Sequence, residues 1–146
     1  MKKALIYSDG ASSGNPGRSG IGGVVTVEGR AHEFSRFIGV TTNNVAEYSA
    51  LITALEKALD LGATEAEIYL DSELLVRQIN GVYKVRHENL KPLFDKSVRL
   101  LRRFSKFTVR HVPREQNQKA DALSKKGIKA ERPPAPKPAP GQQGLF

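Results

Sequence analysis

Two apolar segments, each closed by an aspartate, flank one amphipathic helix, and this arrangement limits the fold of the chain more than any other feature. Residues 2–9 alternate as a strand does and end in Asp9, whereas "ATEAEIYLDS" is a second short strand that ends in Asp71. A right-handed crossover would make these strands parallel neighbours and place the two aspartates side by side, at the sheet edge where ligands bind. The helix between them carries apolar residues at helical spacing: Val45, Tyr48, Leu51, Ile52, Leu55 and Leu59.

The remaining pattern predicts three more strands and three more helices. Residues 20–40 indicate two strands joined near Glu28-Gly29 as an antiparallel hairpin. Helices are expected over about 73–80 and about 89–104, followed by the strand "KFTVRHV" and a last helix that ends near Gly127. This order predicts an α/β fold in which a five-stranded mixed sheet, an antiparallel hairpin plus parallel strands, is flanked by helices.

Composition excludes some kinds of site and favours one kind of partner. The absence of Cys excludes disulfides and thiolate metal sites. The chain begins directly with a strand, so no signal peptide and a cytoplasmic location are expected. The net charge of +8 is uneven, because residues 77–110 hold ten Lys and Arg but only two acids. That basic block indicates a polyanion as partner, the alternative being a solvated helix face.

The last residues differ in composition from the rest. We predict a folded domain over residues 1–127, a Pro-rich disordered linker over 128–141 and a terminal peptide, "QQGLF", over 142–146. Nothing in the pattern resembles an oligomer interface, and a monomer is expected.

Two further acids could join the aspartates at the sheet edge. Glu47 occupies the capping-box position if Asn44 caps the helix, but it also faces the same side as Leu51. Asp121 lies on the last helix near its apolar side, the alternative being a surface acid. Four converging carboxylates would repel one another unless cations were bound, and oxygen ligands suit Mg²⁺ or Mn²⁺. Two such ions would activate water and stabilise the leaving oxygen of a phosphodiester, while nearby glycines would let a nucleic-acid backbone approach.

Four ordered blocks of the sequence resemble the type 1 ribonuclease H family over residues 2–127. They are "YSDGASSGNPGRSGIGGVV", "TTNNVAEYSALITAL", "IYLDSELLVRQINGVYKV" and "HVPREQNQKADALSKKG". The resemblance implies an enzyme with a ribonuclease H-like fold that hydrolyses the RNA strand of RNA–DNA hybrids with two Mg²⁺ ions, or Mn²⁺ as a substitute. It also implies that Asp9 bridges both metals, that Glu47 and Asp71 complete one site, and that Asp121 completes the other.

The same resemblance implies a set of substrate contacts. The backbone at Gly10 and the side chains of Ser12, Asn15, Asn43 and Asn44 would approach the duplex, and Thr42 would help to hold a phosphate of the DNA strand. Local alternatives remain open, since the Asn43-Asn44 pair also suits a helix cap and Asn15 also suits a turn.

Three features depart from the family pattern. There is no room for the basic protrusion that many relatives carry, so binding would depend on cations such as Lys84, Arg86 and Lys91. Glu73 stands where relatives often have Gln. The loop "PREQNQ" has no His, and the residues available in its place are Arg114 and Glu115.

The terminal "QQGLF" resembles the peptide by which bacterial replication and repair proteins dock on the sliding clamp. Gln142, Leu145 and Phe146 would be its anchors, and the alternative is a frayed tail.

Two rival functions are kept: a non-catalytic hybrid-binding adaptor, and another metal nuclease of similar fold such as a DNA resolvase.

Overall fold

The computed structural model describes residues 2–130 and begins with three antiparallel strands. These strands are β1 (Lys3–Gly14), β2 (Gly17–Val27) and β3 (Arg30–Thr41). The turn between β2 and β3 uses Glu28 and Gly29, both with positive φ, which confirms the predicted hairpin. The full sheet has the order β3-β2-β1-β4-β5 and is mixed, as the sequence predicts.

Helix α1 (Asn43–Asp60) is the crossover that connects the hairpin strands to β4 (Glu65–Leu70). Strand β4 pairs in parallel with β1, and the register ends where Tyr7 faces Tyr69. The predicted parallel neighbours are therefore confirmed. Asp9 and Asp71 each lie two residues beyond this last pair, so both reach the same edge of the sheet.

Strand β1 does not end at Asp9, and this prediction was wrong. It continues to Gly14 and stays paired with β2, so that Asp9 lies opposite Gly22 of that strand. The Gly- and Ser-rich stretch resembles a loop in the sequence, but its glycines are positions of close packing. A Cβ on Gly20 or on Gly22 would collide with the backbone near Ser124 on the last helix.

The remaining elements are α2 (Glu73–Ile79), α3 (Lys91–Leu101), β5 (Lys106–His111) and α4 (Gln118–Lys129). Helix α3 is shorter than predicted at both ends, with Pro92 in its first turn. Helix α4 continues past Gly127 to Lys129. Its C-cap is Ala130, and Gly127 packs directly against the backbone of Arg36, where there is no space for a side chain.

The core lies between the sheet and helices α1 to α3. Its largest fully buried side chains include Ile6, Leu51, Leu55 and Ile68. Among residues 2–130, every helix is too short or too polar to cross a lipid bilayer.

The end of α4 and the residue that follows it contact strand β2. The guanidinium of Arg18 donates to the carbonyl oxygens of Ile128 and Ala130 at 3.0 and 2.9 Å, which fixes the end of α4 against β2. The predicted linker from residue 131 onward and the peptide with Gln142, Leu145 and Phe146 lie outside the described residues.

Candidate active site

Three carboxylates converge at the edge of the sheet. One oxygen from each of Asp9, Glu47 and Asp71 lies within 4.8 Å of the others. Asp9 projects from the middle of β1, Asp71 follows the last residue of β4, and Glu47 comes from the second turn of α1. The convergence predicted from the sequence is confirmed for these three acids.

Glu47 reaches the cluster by a different route from the one predicted. Thr42, not Asn44, caps α1, because its hydroxyl accepts from the backbone N–H of Val45 at 3.3 Å. Glu47 therefore lies beyond the capping-box position, and its Oε1 accepts from the backbone N–H of Gly10 at 3.2 Å. A Cβ on Gly10 would collide with the α1 backbone at Ala46 and Glu47, so this glycine permits strand and helix to touch.

Burial and mutual repulsion strongly disfavour charge on the cluster. Asp9 is only 5% exposed. Burial, followed by the proximity of Glu47 and Asp71, raises the pKa of Asp9 to about 10. Burial also raises the pKa of Glu47, although the hydrogen bond with Asp9, the Gly10 N–H and the charge of Arg114 oppose that rise. Within residues 2–130, none of these three acids forms an ion pair.

Asp121 lies in the same cleft but outside the group of three. The Lys125 ammonium, one helical turn away on α4, contacts Asp121 Oδ2 at 3.0 Å. Burial alone would raise the pKa of Asp121, but hydrogen bonds with Lys125 and Asp9 and the charges of Lys125 and Arg114 hold it below its ordinary value. The site thus combines three carboxylates without a cation and a fourth that already has one.

A polar rim connects the turn between β1 and β2 to the start of α1. The Ser12 N–H donates to Asn43 Oδ1 at 2.8 Å, and the Asn43 N–H donates to Asn15 Oδ1 at 3.1 Å. The Asn43 side chain therefore does not cap α1. Asn15 contacts the backbone of Asn43, and the Thr42 hydroxyl oxygen caps α1 as an acceptor. The cleft has a volume of about 340 Å³, and its lining includes Gly10, Ser12, Asn43, Asn44 and the four acids.

Sequence reasoning missed two residues of the site, Lys125 and Asn117, and gave Arg114 only a weak role. Arg114 and Lys125 line the cleft as cations. Asn117 donates through Nδ2 to Asp71 Oδ2 at 3.2 Å. The spacing of Lys125, four residues after Asp121 on a helix, could have indicated the ion pair. No local pattern indicates the contact between Asn117 and Asp71.

The three departures from the family pattern have structural counterparts. Residues 80–90 contain no helix, so the protrusion is absent. The Glu73 carboxylate is paired with the Arg77 guanidinium at 2.7 Å, and that guanidinium lies 5.4 Å from the centroid of the Tyr83 ring. The loop before α4 contains one 3-10 turn, Arg114–Gln116, without His.

Comparison with known proteins identifies the family. A family model described as "Reverse transcriptase-like" matches residues 7–127. A ribonuclease H from Chlorobium phaeobacteroides is 32% identical over 147 residues, which cover 90% of this chain and 99% of that protein. The chain belongs to the ribonuclease H family. This membership confirms the resemblance found in the sequence.

Solved structures agree with the ribonuclease H fold of this chain. The N-terminal RNase H domain of a Mycobacterium tuberculosis protein, solved as a fusion with maltose-binding protein, superposes with a TM-score of 0.85 at 40% identity, covering 88% of this chain and 95% of that one. LC11-RNase H1, solved in complex with an RNA/DNA hybrid, gives a TM-score of 0.80 at 47% identity, covering 86% and 96%.

Some relatives of this ribonuclease H chain are much longer. A bifunctional protein of Mycobacterium tuberculosis is 41% identical over 131 residues, but the match covers 88% of this chain and only 36% of that protein. The chain therefore spans about a third of the length of its mycobacterial relatives.

Proposed function

We propose that this chain is an endonuclease that hydrolyses the RNA strand of RNA–DNA hybrids with divalent cations, and so removes primers and R-loop RNA. The observation that carries the proposal is the convergence of Asp9, Glu47 and Asp71 within 4.8 Å. A relative at 47% identity, LC11-RNase H1, was solved with an RNA/DNA hybrid bound, which supports the choice of substrate.

The residues at this edge fit a hard divalent cation. The donors are all carboxylate oxygens, and within residues 2–130 no basic side chain is paired with Asp9, Glu47 or Asp71. The high pKa of Asp9 indicates how unfavourable its charge is without a cation. Asp9, Glu47 and Asp71 would hold one Mg²⁺ or Mn²⁺, and Asp9 with Asp121 a second. Bound as a pair, such ions supply an activated water and stabilise charge on the leaving oxygen.

The polar rim is suited to hold the hybrid over these acids. Asn43 and Asn44 present amide groups beside the carboxylates, as recognition of 2′-hydroxyls requires, whereas the Ser12 hydroxyl is already hydrogen-bonded to Ser19 Oγ at 2.6 Å. The Thr42 hydroxyl accepts from Val45 and keeps its own hydrogen to donate to a phosphate. Gly10 would contribute through its backbone, and Asn15 by holding Asn43 in place. The exposed cations Lys84, Arg86 and Lys91 would attract the phosphate backbone.

Cleavage of defined duplexes tests the proposal. We expect the purified chain to cut only the RNA of an end-labelled RNA–DNA hybrid, and only with Mg²⁺ or Mn²⁺. Single-stranded RNA, duplex RNA and duplex DNA serve as controls. The D71N variant should lose activity, and the matched variant E67Q should keep it, because Glu67 lies on β4 outside the cleft and pairs with Lys3.

The competing functions give different results in the same assay. Binding of the hybrid without cutting in either metal would favour a non-catalytic adaptor. Cutting of branched duplex DNA with an intact hybrid would favour a resolvase.

We also propose a sliding clamp as a second partner, on the sequence of the peptide 142–146 alone. Removal of Leu145 and Phe146 should abolish capture by an immobilised bacterial clamp and leave hybrid cleavage unchanged. Equal capture of both forms would reject this partner.

A further inference from the structure

Asn117 is a buried amide that touches three of the elements carrying the acids. The residue is only 1% exposed, and its Nδ2 donates to the backbone oxygen of Ser8 at 3.1 Å and to Asp71 Oδ2 at 3.2 Å. Its own backbone carbonyl accepts from the N–H of Asp121 at 3.0 Å. One residue thus links β1 immediately before Asp9, the carboxylate that follows β4, and the first turn of α4.

These bonds are not those of an ordinary helix cap. Asn117 stands at the cap position of α4, yet its side chain makes no hydrogen bond to the helix. The amide instead donates toward the strands, and its Oδ1 has no partner among the described protein atoms although it is buried. Leaving such an acceptor unpaired costs stability. The side chain is therefore held by its contacts with Ser8 and Asp71 and not by the helix.

The contact with Asp71 restricts how that acid can act. With Oδ2 held by Asn117, the carboxylate cannot rotate freely, and Oδ1 is left for a cation. Because the same amide is fixed to Ser8, the position of Asp71 is defined relative to Asp9. The backbone carbonyl of Asn117 accepts from the Asp121 N–H, so the position of Asp121 is also fixed relative to the two aspartates. Glu47 is held separately, through the Gly10 N–H.

We infer that Asn117 is a positioning residue that sets the affinity of the acidic cluster for divalent cations, an inference that rests on the proposed function. Asn117 lies outside the lining of the cleft and acts through Asp71. Loss of an outer hydrogen-bond partner of a metal ligand typically costs about 10- to 100-fold in metal affinity or activity. We expect a loss of that size here.

Metal binding measured without substrate tests the inference. The variants are N117A, which removes the amide, and N117D, which keeps its size but replaces the donor by a like charge. The matched control is N80A, because the Asn80 amide also donates to a backbone carbonyl, that of Val109 at 3.0 Å, away from the cleft. For each protein, the melting temperature is measured across a Mg²⁺ or Mn²⁺ titration, and kcat and KM are then measured on the hybrid.

The expected result separates positioning from stability. Both Asn117 variants should need about 10-fold or more extra metal for half of the stabilisation, with a lower kcat and little change in KM. N80A should lower the melting temperature but keep the wild-type metal midpoint. A wild-type midpoint in either Asn117 variant would overturn the inference, and so would loss of cooperative unfolding in both. If the wild-type chain binds metal but does not cut the hybrid, the proposed function fails. The inference on Asn117 is still tested, because it depends only on the metal midpoints of the wild type and the variants.

Discussion

Lys125 is paired with one carboxylate oxygen of Asp121, the acid proposed to help hold the second metal ion. The ammonium lies 3.0 Å from Asp121 Oδ2, and the pair is supported by its i,i+4 spacing on α4. The other three acids of the cleft have no such partner among residues 2–130. A bound cation should therefore stabilise these three acids more than it stabilises Asp121.

Removal of the Lys125 charge should make metal binding easier. In K125Q, the Mg²⁺ midpoint of thermal stabilisation should fall about two- to fivefold, since an exposed ion pair is worth up to about 1 kcal/mol. K126Q makes the same change of charge on the next, exposed residue and should leave the midpoint unaltered. An unchanged or higher midpoint in K125Q would show that Lys125 does not compete with the metal.

The stability of the metal-free chain should fall as pH rises. The pKa of Asp9 is about 10 in the fold against 3.8 for the free group, so between these values the native state holds a proton that the unfolded chain has lost. Each pH unit in that window costs up to about 1.4 kcal/mol. In EDTA, the melting temperature should drop from pH 6 to pH 8.5. D9N should remove most of this slope, and excess Mg²⁺ should restore wild-type stability at the higher pH.

A second acid variant provides the control for this pH dependence. D60N changes a carboxylate at the end of α1, outside the cleft, and should keep the wild-type slope. Equal slopes in wild type, D60N and D9N would contradict the assignment to Asp9.

A methyl group at Gly10 should disrupt the contact between β1 and α1. The added Cβ would meet the backbone of Ala46 and Glu47, which cannot rotate away as a side chain can. We expect G10A to lower the free energy of unfolding by about 1–3 kcal/mol, measured in urea, and to reduce hybrid cleavage because Glu47 is displaced. Wild-type stability in G10A would mean that α1 can shift at little cost.

Arg77 should shield the substrate from Glu73. The pair is joined at 2.7 Å, so the acid that stands where relatives often have Gln is neutralised. R77A should raise KM for the hybrid severalfold at low salt, with a smaller rise at high salt because exposed charges are screened. The double variant R77A/E73Q should return toward the wild-type KM. A double variant as weak as R77A would mean that Arg77 itself contacts the hybrid.

The order of elements and the convergence of Asp9, Glu47 and Asp71 could be predicted from the sequence, because they follow from hydrophobic pattern and the rule for parallel crossovers. The helical spacing of apolar residues identified α1. A right-handed crossover through that helix then placed Asp9 beside Asp71 on parallel strands. The extent of β1 could not be predicted, since Gly and Ser are common in turns and the helices that require them are distant in sequence. Asn117 was missed for a similar reason, because its contacts with Ser8 and Asp71 span 109 and 46 residues.

The glycines beneath α4 have a consequence for how this protein can vary. Backbone atoms of α4 and of the strands are in direct contact at Gly20, Gly22 and Gly127. The distance between helix and sheet is therefore set by backbone atoms and not by side chains. The exposed face of α4 can then change without moving Asp121. A single methyl group at any of these three glycines would force strand and helix apart, and a shift of the helix would carry Asp121 away from Asp9 although none of the three lines the cleft.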